Sequence, residues 1–433
     1  MKKIFVMKKI FISAGLAAVS AAGFETVFAA APDALSPKDW NVSGTLRGFY
    51  DDNYAVGGNQ KGSFGLEVSP TISLNVPLQQ TEFGLRYTYG LFYYQQRQDM
   101  GVDAFDQTHQ MELWLDHAFN ERWRANVTDS FAIGQEPELL QPNQGFGQAV
   151  PYRIQGDNMA NHANFTLNTE WTRLLSTALH YGNNFYDYQN SGGNAIVPSY
   201  AGILNRVEQN VSLDFQWTIQ PETMAFIGYN FSLVNYTGGE QIAVDPLSPL
   251  PYMSDSRDLM SHTAYVGVNH QFTANLSAMV KGGVTYTDSY NDPQNSTSLS
   301  PYADLSVSYT YIPGSYVQVG LTHQINATDV VSPGANGSLT QNQESTVVYA
   351  DINHRFTPKL LGTVIGRFSS STFNGGAYNN SSDEAYGLGI NLNYQINRHF
   401  SADLGYNYDN LVSGIAGRSY DRNRVYIGLI AKY

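Results

Sequence analysis

Between residues 40 and 433, apolar and polar residues alternate with a period of two in run after run. That is the period of an extended strand with one face in an apolar medium and the other in a polar one. At the C-terminus Val425, Ile427, Leu429, Ala431 and Tyr433 fall on one face, opposite Arg424, Tyr426, Gly428 and Lys432. In the run before it Phe400, Ala402, Leu404, Tyr406 and Tyr408 oppose Ser401, Asp403, Gly405, Asn407 and Asp409. Val207, Val211, Leu213, Phe215 and Trp217 stand against Glu208, Asn210, Ser212, Asp214 and Gln216 in the same way. The runs last ~12–16 residues, against ~5–6 in ordinary globular strands. An open sheet of such strands would carry long unpaired edges, and closure into a barrel removes them.

The connections alternate in length. Tight turns fall at Pro77-Leu78-Gln79, Asn120-Glu121-Arg122, Thr172-Arg173-Leu174 and Gln220-Pro221-Glu222. They continue at Thr273-Ala274-Asn275, Pro313-Gly314-Ser315, Thr357-Pro358-Lys359 and Asn397-Arg398-His399. Longer loops rich in Gly, Pro, Asn and Ser lie between them, including 135–159, 190–202 and 238–255. Eight hairpins and one strand at each end give about eighteen strands, with sixteen as the alternative count, and both termini on the short-turn side. The reading is an all-β, up-and-down antiparallel transmembrane barrel over 40–433, with short periplasmic turns and longer extracellular loops. No helical periodicity appears after Ala30.

Aromatic residues mark the ends of the runs. Trp40, Phe119, Trp123, Trp171, Trp217, Phe272, Tyr311, Phe356, Phe400 and Tyr433 lie beside the tight turns, as an interfacial girdle requires. Only 14% of residues are charged, and the net charge is -13. That balance lacks the basic footprint of a nucleic-acid binder, and the absence of cysteine excludes disulfide frameworks and thiol chemistry. Ahead of the barrel, Lys2, Lys3, Lys8 and Lys9 precede an apolar, small-residue stretch at 10–24 and Val27-Phe28-Ala29. This is a signal peptide, 1–29, cut after Ala29, followed by a short periplasmic segment, 30–39.

The terminal run Tyr426, Gly428, Ala431, Tyr433 resembles the C-terminal assembly signal of bacterial outer-membrane proteins, with Ala431 where an aromatic is more usual. The chain from Ala30 to Tyr433 is similar in strand and loop pattern to the β-barrel porins of Gram-negative envelopes. The resemblance implies residence in the cell outer membrane. It also implies surroundings of outer-membrane lipid and lipopolysaccharide, delivery by the barrel-assembly machinery, and a homo-oligomer as one option.

Projecting each polar face inward gives a set of pore-lining candidates. They are Arg47, Glu67, Arg86, Glu112, Asp116, Arg124, Glu170, Glu208, Asp214, Lys281, Asp304, Asp351, Arg355, Arg367, Asp403 and Arg424. A charge facing lipid at the midplane costs ~2–4 kcal/mol for Arg or Lys, so a wet interior is their natural place. They are either a transverse field across a pore or ion pairs that hold the wall together. In loop 135–159, Glu136, Glu138, Tyr152 and Arg153 either narrow the pore or form a surface flap.

Little else suggests chemistry. His180 lies on a polar face without an accompanying nucleophile pattern, while His262, His270, His323 and His354 fall in the apolar register or near strand ends. Asp51-Asp52 and Asp255-Ser256-Arg257-Asp258 lack the ligand spacing of a calcium loop and read as solvated strand ends. No catalytic, cofactor or metal residues are assigned. The leading function is passive diffusion of small hydrophilic solutes. The alternatives are the barrel component of an exopolysaccharide export or surface-assembly system, and a non-conducting surface or adhesion protein. Only residues 30–39 precede the first strand, too few for a plug domain.

Overall fold

The computed structural model describes residues 39–56, 60–101, 103–134, 157–194, 197–248 and 250–433. The leader and nearly all of segment 30–39 lie outside the described residues, as do 135–156 and with them Glu136, Glu138, Tyr152 and Arg153.

Eighteen strands form one closed antiparallel sheet. The first half of the ring is β1 (Trp40–Asp51), β2 (Ser63–Pro77), β3 (Thr81–Tyr94), β4 (Phe105–Ala118), β5 (Trp123–Gly134), β6 (Asn158–Glu170), β7 (Leu175–Tyr188), β8 (Arg206–Gln220) and β9 (Thr223–Tyr236). The loop that follows carries a separate small hairpin, β10 (Gln241–Val244) and β11 (Pro251–Met253). The ring resumes with β12 (Leu259–Thr273), β13 (Leu276–Asp288), β14 (Thr297–Ile312), β15 (Ser315–Asn326) and β16 (Asn342–Thr357). It ends with β17 (Leu360–Asn374), β18 (Ser382–Gln395), β19 (Phe400–Ser413) and β20 (Tyr420–Lys432). β20 pairs with β1, from Ser43↔Lys432 to Asp51↔Arg424, which closes the barrel.

All eight tight turns join consecutive strands at one end. Both ends of the barrel chain meet there. The Tyr433 N–H donates to the Val42 carbonyl at 2.9 Å, and the Tyr433 and Trp40 rings lie 6.0 Å apart. Among the described residues, the helices Gln95–Asp99 and Tyr200–Leu204 and the 3-10 turn Ser254–Arg257 sit in the opposite, long-loop end. Each is five residues or fewer, too short for a 3.6-residue period to show in the sequence.

Strand register fixes which face each side chain takes, because a slip of one residue would invert every strand. The exposed large side chains are the apolar set: Val42, Leu46 and Tyr50 on β1, Leu213, Phe215 and Trp217 on β8, and Val425, Ile427 and Leu429 on β20. The intervening polar residues point inward. At the turn end, three His-x-Phe steps repeat one geometry. His117–Phe119, His270–Phe272 and His354–Phe356 each pack edge to face with ring centroids 4.5 Å apart.

Candidate functional site: the barrel interior

Cross-strand register carries all sixteen inward candidates on the face opposite the apolar belt. Within that face, acids and bases are interleaved as neighbours. Arg47 binds Asp403 at 2.7 Å and Glu67 at 3.1 Å. Arg86 binds Glu112 and Arg124 binds Asp116, both at 2.8 Å, and Lys281 lies 3.6 Å from Asp304. Glu208 accepts from Arg206 at 2.7 Å.

The remaining candidates have other surroundings. Asp214 accepts the Tyr265 hydroxyl proton. Asp351 is fully buried and accepts from Tyr316 Oη at 3.3 Å. Arg367 stands in register between Tyr349 and Gly387. Arg355 lies at the turn end, where its backbone N–H donates to Ser315 Oγ at 2.9 Å. Glu170 is exposed at the same end. His180 is also inward, with its Nδ1 3.0 Å from Thr166 Oγ1.

The charge list misses the layer on which these cations rest. Six inward aromatic residues each lay the ring over the inward glycine that faces them across the ladder. The pairs are Phe49↔Gly65, Trp114↔Gly84, Phe226↔Gly267, Tyr265↔Gly228, Tyr349↔Gly320 and Tyr426↔Gly405. A Cβ at Gly84 would fall 1.9 Å from the Trp114 ring, and one at Gly405 2.0 Å from Tyr426. The rings therefore lie flat against bare backbone, a packing that also protects glycine in a strand.

Cations then lie on the rings. Arg424 is 4.3 Å from the Phe49 centroid, Arg47 4.8 Å from Tyr426, and Arg86 6.0 Å from Trp114. Half-way round the ring, Lys281 is 5.8 Å from Phe226 and 5.7 Å from Tyr265. Such contacts contribute about 0.5–2 kcal/mol each. Among the described residues Arg424 is the ring-stacked cation of the barrel wall without an acid within ion-pair distance. The sequence signal for this layer is glycine opposite an aromatic residue, which is readable only once strands are aligned.

Over the long-loop end, the loops pack on one another. Ile203 and Leu204, Ile242, Ala243 and Tyr252, and Leu339 form one buried cluster drawn from three separate loops. Arg257 holds them together. It is fully buried, donates to the carbonyls of Ile203 (3.1 Å) and Thr328, and stacks on Tyr236 at 4.5 Å. Arg418, from the last loop, binds Asp329 at 2.7 Å and Asp383 at 2.9 Å.

Two sequence expectations are corrected here. Asp51 is buried against Arg422, and Arg257 is buried among carbonyls, so neither segment is a solvated strand end. The reason is tertiary: charges that look exposed beside a loop are covered when other loops fold over them.

Glu240 ties two of these loops together. Its carboxylate accepts from Ser199 Oγ and from the N–H groups of Gly192 and Gly193. The Ser199 hydrogen bond, and then the two N–H groups, hold it below the usual carboxylate range. Asp258 moves the other way, because burial raises it despite the Tyr236 N–H and Asn291 donors.

A closed eighteen-strand barrel with an apolar outer belt and a charged inner face is the architecture of an outer-membrane channel. The chain belongs to the family described as Putative beta-barrel porin 2, whose model matches residues 41–433. No curated protein matches it. Solved structures similar to it include a BenF-like porin from Pseudomonas fluorescens Pf-5, at 12% identity, with 92% of this chain and 99% of that one covered and a TM-score of 0.45. OccK3 (OpdO) of Pseudomonas aeruginosa is 12% identical over 91% of this chain and 96% of that one, with a TM-score of 0.43. OccK2 (OpdF) of the same organism, solved in complex with glucuronate, is 10% identical over 91% and 98%, with a TM-score of 0.42.

Proposed function

We propose that this outer-membrane porin conducts small hydrophilic solutes passively along the barrel axis. The observation that carries the reading is the inward face itself: ion pairs and ring-stacked cations continue around the ring, while apolar side chains take the lipid side. A solute crossing such a surface can exchange hydration for side-chain hydrogen bonds without meeting an apolar barrier. The wall residues serve as ion pairs and hydrogen-bonding groups rather than as acid–base catalysts. The leader, 1–29, directs export and is removed after Ala29. Reconstitution into planar bilayers tests the channel: discrete conductance steps are expected, and a silent bilayer would point to a non-conducting surface protein.

A further inference from the structure

The inward cations around the closing seam are committed to acids, with one exception. Arg422 is paired with Asp51, Arg47 with Asp403 and Glu67, and Arg86 with Glu112. Arg424 is the exception. Among the described residues its guanidinium has neither an acid within ion-pair distance nor a hydrogen-bond acceptor. Rings hold it in place instead: its Cζ lies 4.3 Å from the Phe49 centroid and 5.6 Å from that of Phe92. A guanidinium stacked by its face keeps its edge, where the N–H donors lie, for other partners.

Directly opposite Arg424, on β19, stands Asn407, inward like it and half-buried. Its carboxamide also has no hydrogen-bond partner among the described residues. On its other side Asn407 faces Gly389, and Gly387 is the inward residue beyond, so β18 sets no side chain beside the pair. Arg424 meets Asp51 in the outermost rung of the β1–β20 ladder, which puts the pair near the long-loop mouth. Opposed residues of an antiparallel ladder lie about 4.5–5.5 Å apart at Cα, close enough for one small molecule to touch both.

We infer that Arg424 and Asn407 form a solute-binding site near the outer mouth, taking a small monoanion that carries a hydroxyl beside its carboxylate. It rests on the porin reading for the route by which the solute arrives. The two side chains select the class between them. Arginine offers only donors, in a fork that matches the two oxygens of a carboxylate. Asparagine offers donors and an acceptor, and a hydroxyl beside the carboxylate gives its Oδ1 the proton it lacks. Asp409, the adjacent inward residue of β19 toward the loops, disfavours a second negative charge. Because the rings fix the guanidinium beforehand, binding loses little side-chain freedom.

The test is equilibrium binding to the full-length protein in detergent micelles, a measurement that needs no conduction. The probes are glycolate, acetate, ethylene glycol and succinate. Glycolate is expected to bind more tightly than acetate, with succinate no better than acetate and ethylene glycol weakest. Arg424→Gln should weaken glycolate binding by about tenfold or more, the loss expected for a charge-assisted contact. Asn407→Leu should keep acetate binding and bring glycolate down to it. The heat-dependent gel shift of each variant shows that it is folded. Glycolate bound no better than acetate by the wild-type protein, or bound equally by Arg424→Gln, overturns the site. Planar bilayers read the channel separately, with glycolate on the loop side expected to interrupt the wild-type current. A silent bilayer with glycolate binding intact strikes the channel reading and upholds the site, whereas conduction without glycolate binding overturns the site and leaves the channel.

Discussion

Arg47 reaches Asp403 across an intervening strand: guanidinium Nε and carboxylate Oδ2 lie 2.7 Å apart, with Gly428 of β20 beneath them. A Cβ at Gly428 would sit 2.5 Å from Arg47 Cγ and 2.7 Å from both Asp403 Oδ1 and the Leu46 carbonyl. The glycine of the terminal run is therefore also the space through which the barrel's closing seam is bridged. Gly428→Ala should destabilise the assembled barrel by about 1–3 kcal/mol, the range for overpacking. A lower temperature for the heat-dependent shift in gel mobility checks it.

Removing inward cations should have two distinct outcomes. Arg47→Gln leaves Asp403, nearly fully buried, and Glu67 without their shared cation, a loss of about 3–5 kcal/mol by analogy with broken buried pairs. Arg424→Gln breaks no ion pair among the described residues and should cost only the about 0.5–2 kcal/mol of its ring contact with Phe49. Unfolding of the two variants side by side in denaturant makes the comparison.

Selectivity should be weakly cationic. The sixteen inward candidates comprise nine acids and seven bases, and local pairing with screening over about 8 Å mutes their field. Arg424→Gln should move the reversal potential under a potassium chloride gradient further toward potassium. A clear anion preference in the wild-type protein would contradict the assignment.

Tyr433 and Tyr420 separate assembly from stability. Tyr433 is 71% exposed at the turn end, whereas Tyr420 is buried with Ala385 and Leu411 at the loop end. Tyr433→Ser should reduce the amount of barrel reaching the outer membrane while leaving the assembled fraction as heat-stable as wild type. Tyr420→Ser should assemble but melt earlier. Membrane yield and melting temperature, measured on both variants, decide the matter.

Acid should loosen the loop cover. Glu240 titrates below its ordinary value of 4.5 in the folded protein. Its contribution is therefore complete above that value and is lost as pH falls through the lower folded value. Asp258, raised from 3.8 by burial, acts with the opposite sign and becomes easier to bury as it takes up a proton. Protection of loop 189–205 from protease should thus fall as the pH drops below the ordinary carboxylate value of 4.5, and Glu240→Gln should flatten that change. An unchanged acid profile in the variant would rule out Glu240 as the sensor.

The barrel was legible because its physics is local. Turn residues such as Pro313-Gly314 and Thr357-Pro358, the period of two and the aromatic ends need only neighbours in sequence, and they give the strand number and the face of each residue. The interior layer was not legible. Phe226 faces Gly267 across a seam whose strands are separated by an entire loop with its own hairpin, and Tyr426 meets Gly405 only in a specific register. The loop cover was hidden for a related reason. Arg257 looks like a surface charge until carbonyls from two distant loops are placed around it.

The layering of glycine, ring and cation also has a consequence for traffic. An arginine lying on a ring that itself lies on backbone has few rotamers left to visit, so the cost of ordering it is met when the barrel folds. A molecule moving past Arg47, Arg86 or Lys281 meets charges that are already in position and does not have to wait for side chains to clear its way. The bore behaves as a fixed sleeve, and its open-channel current should be correspondingly quiet.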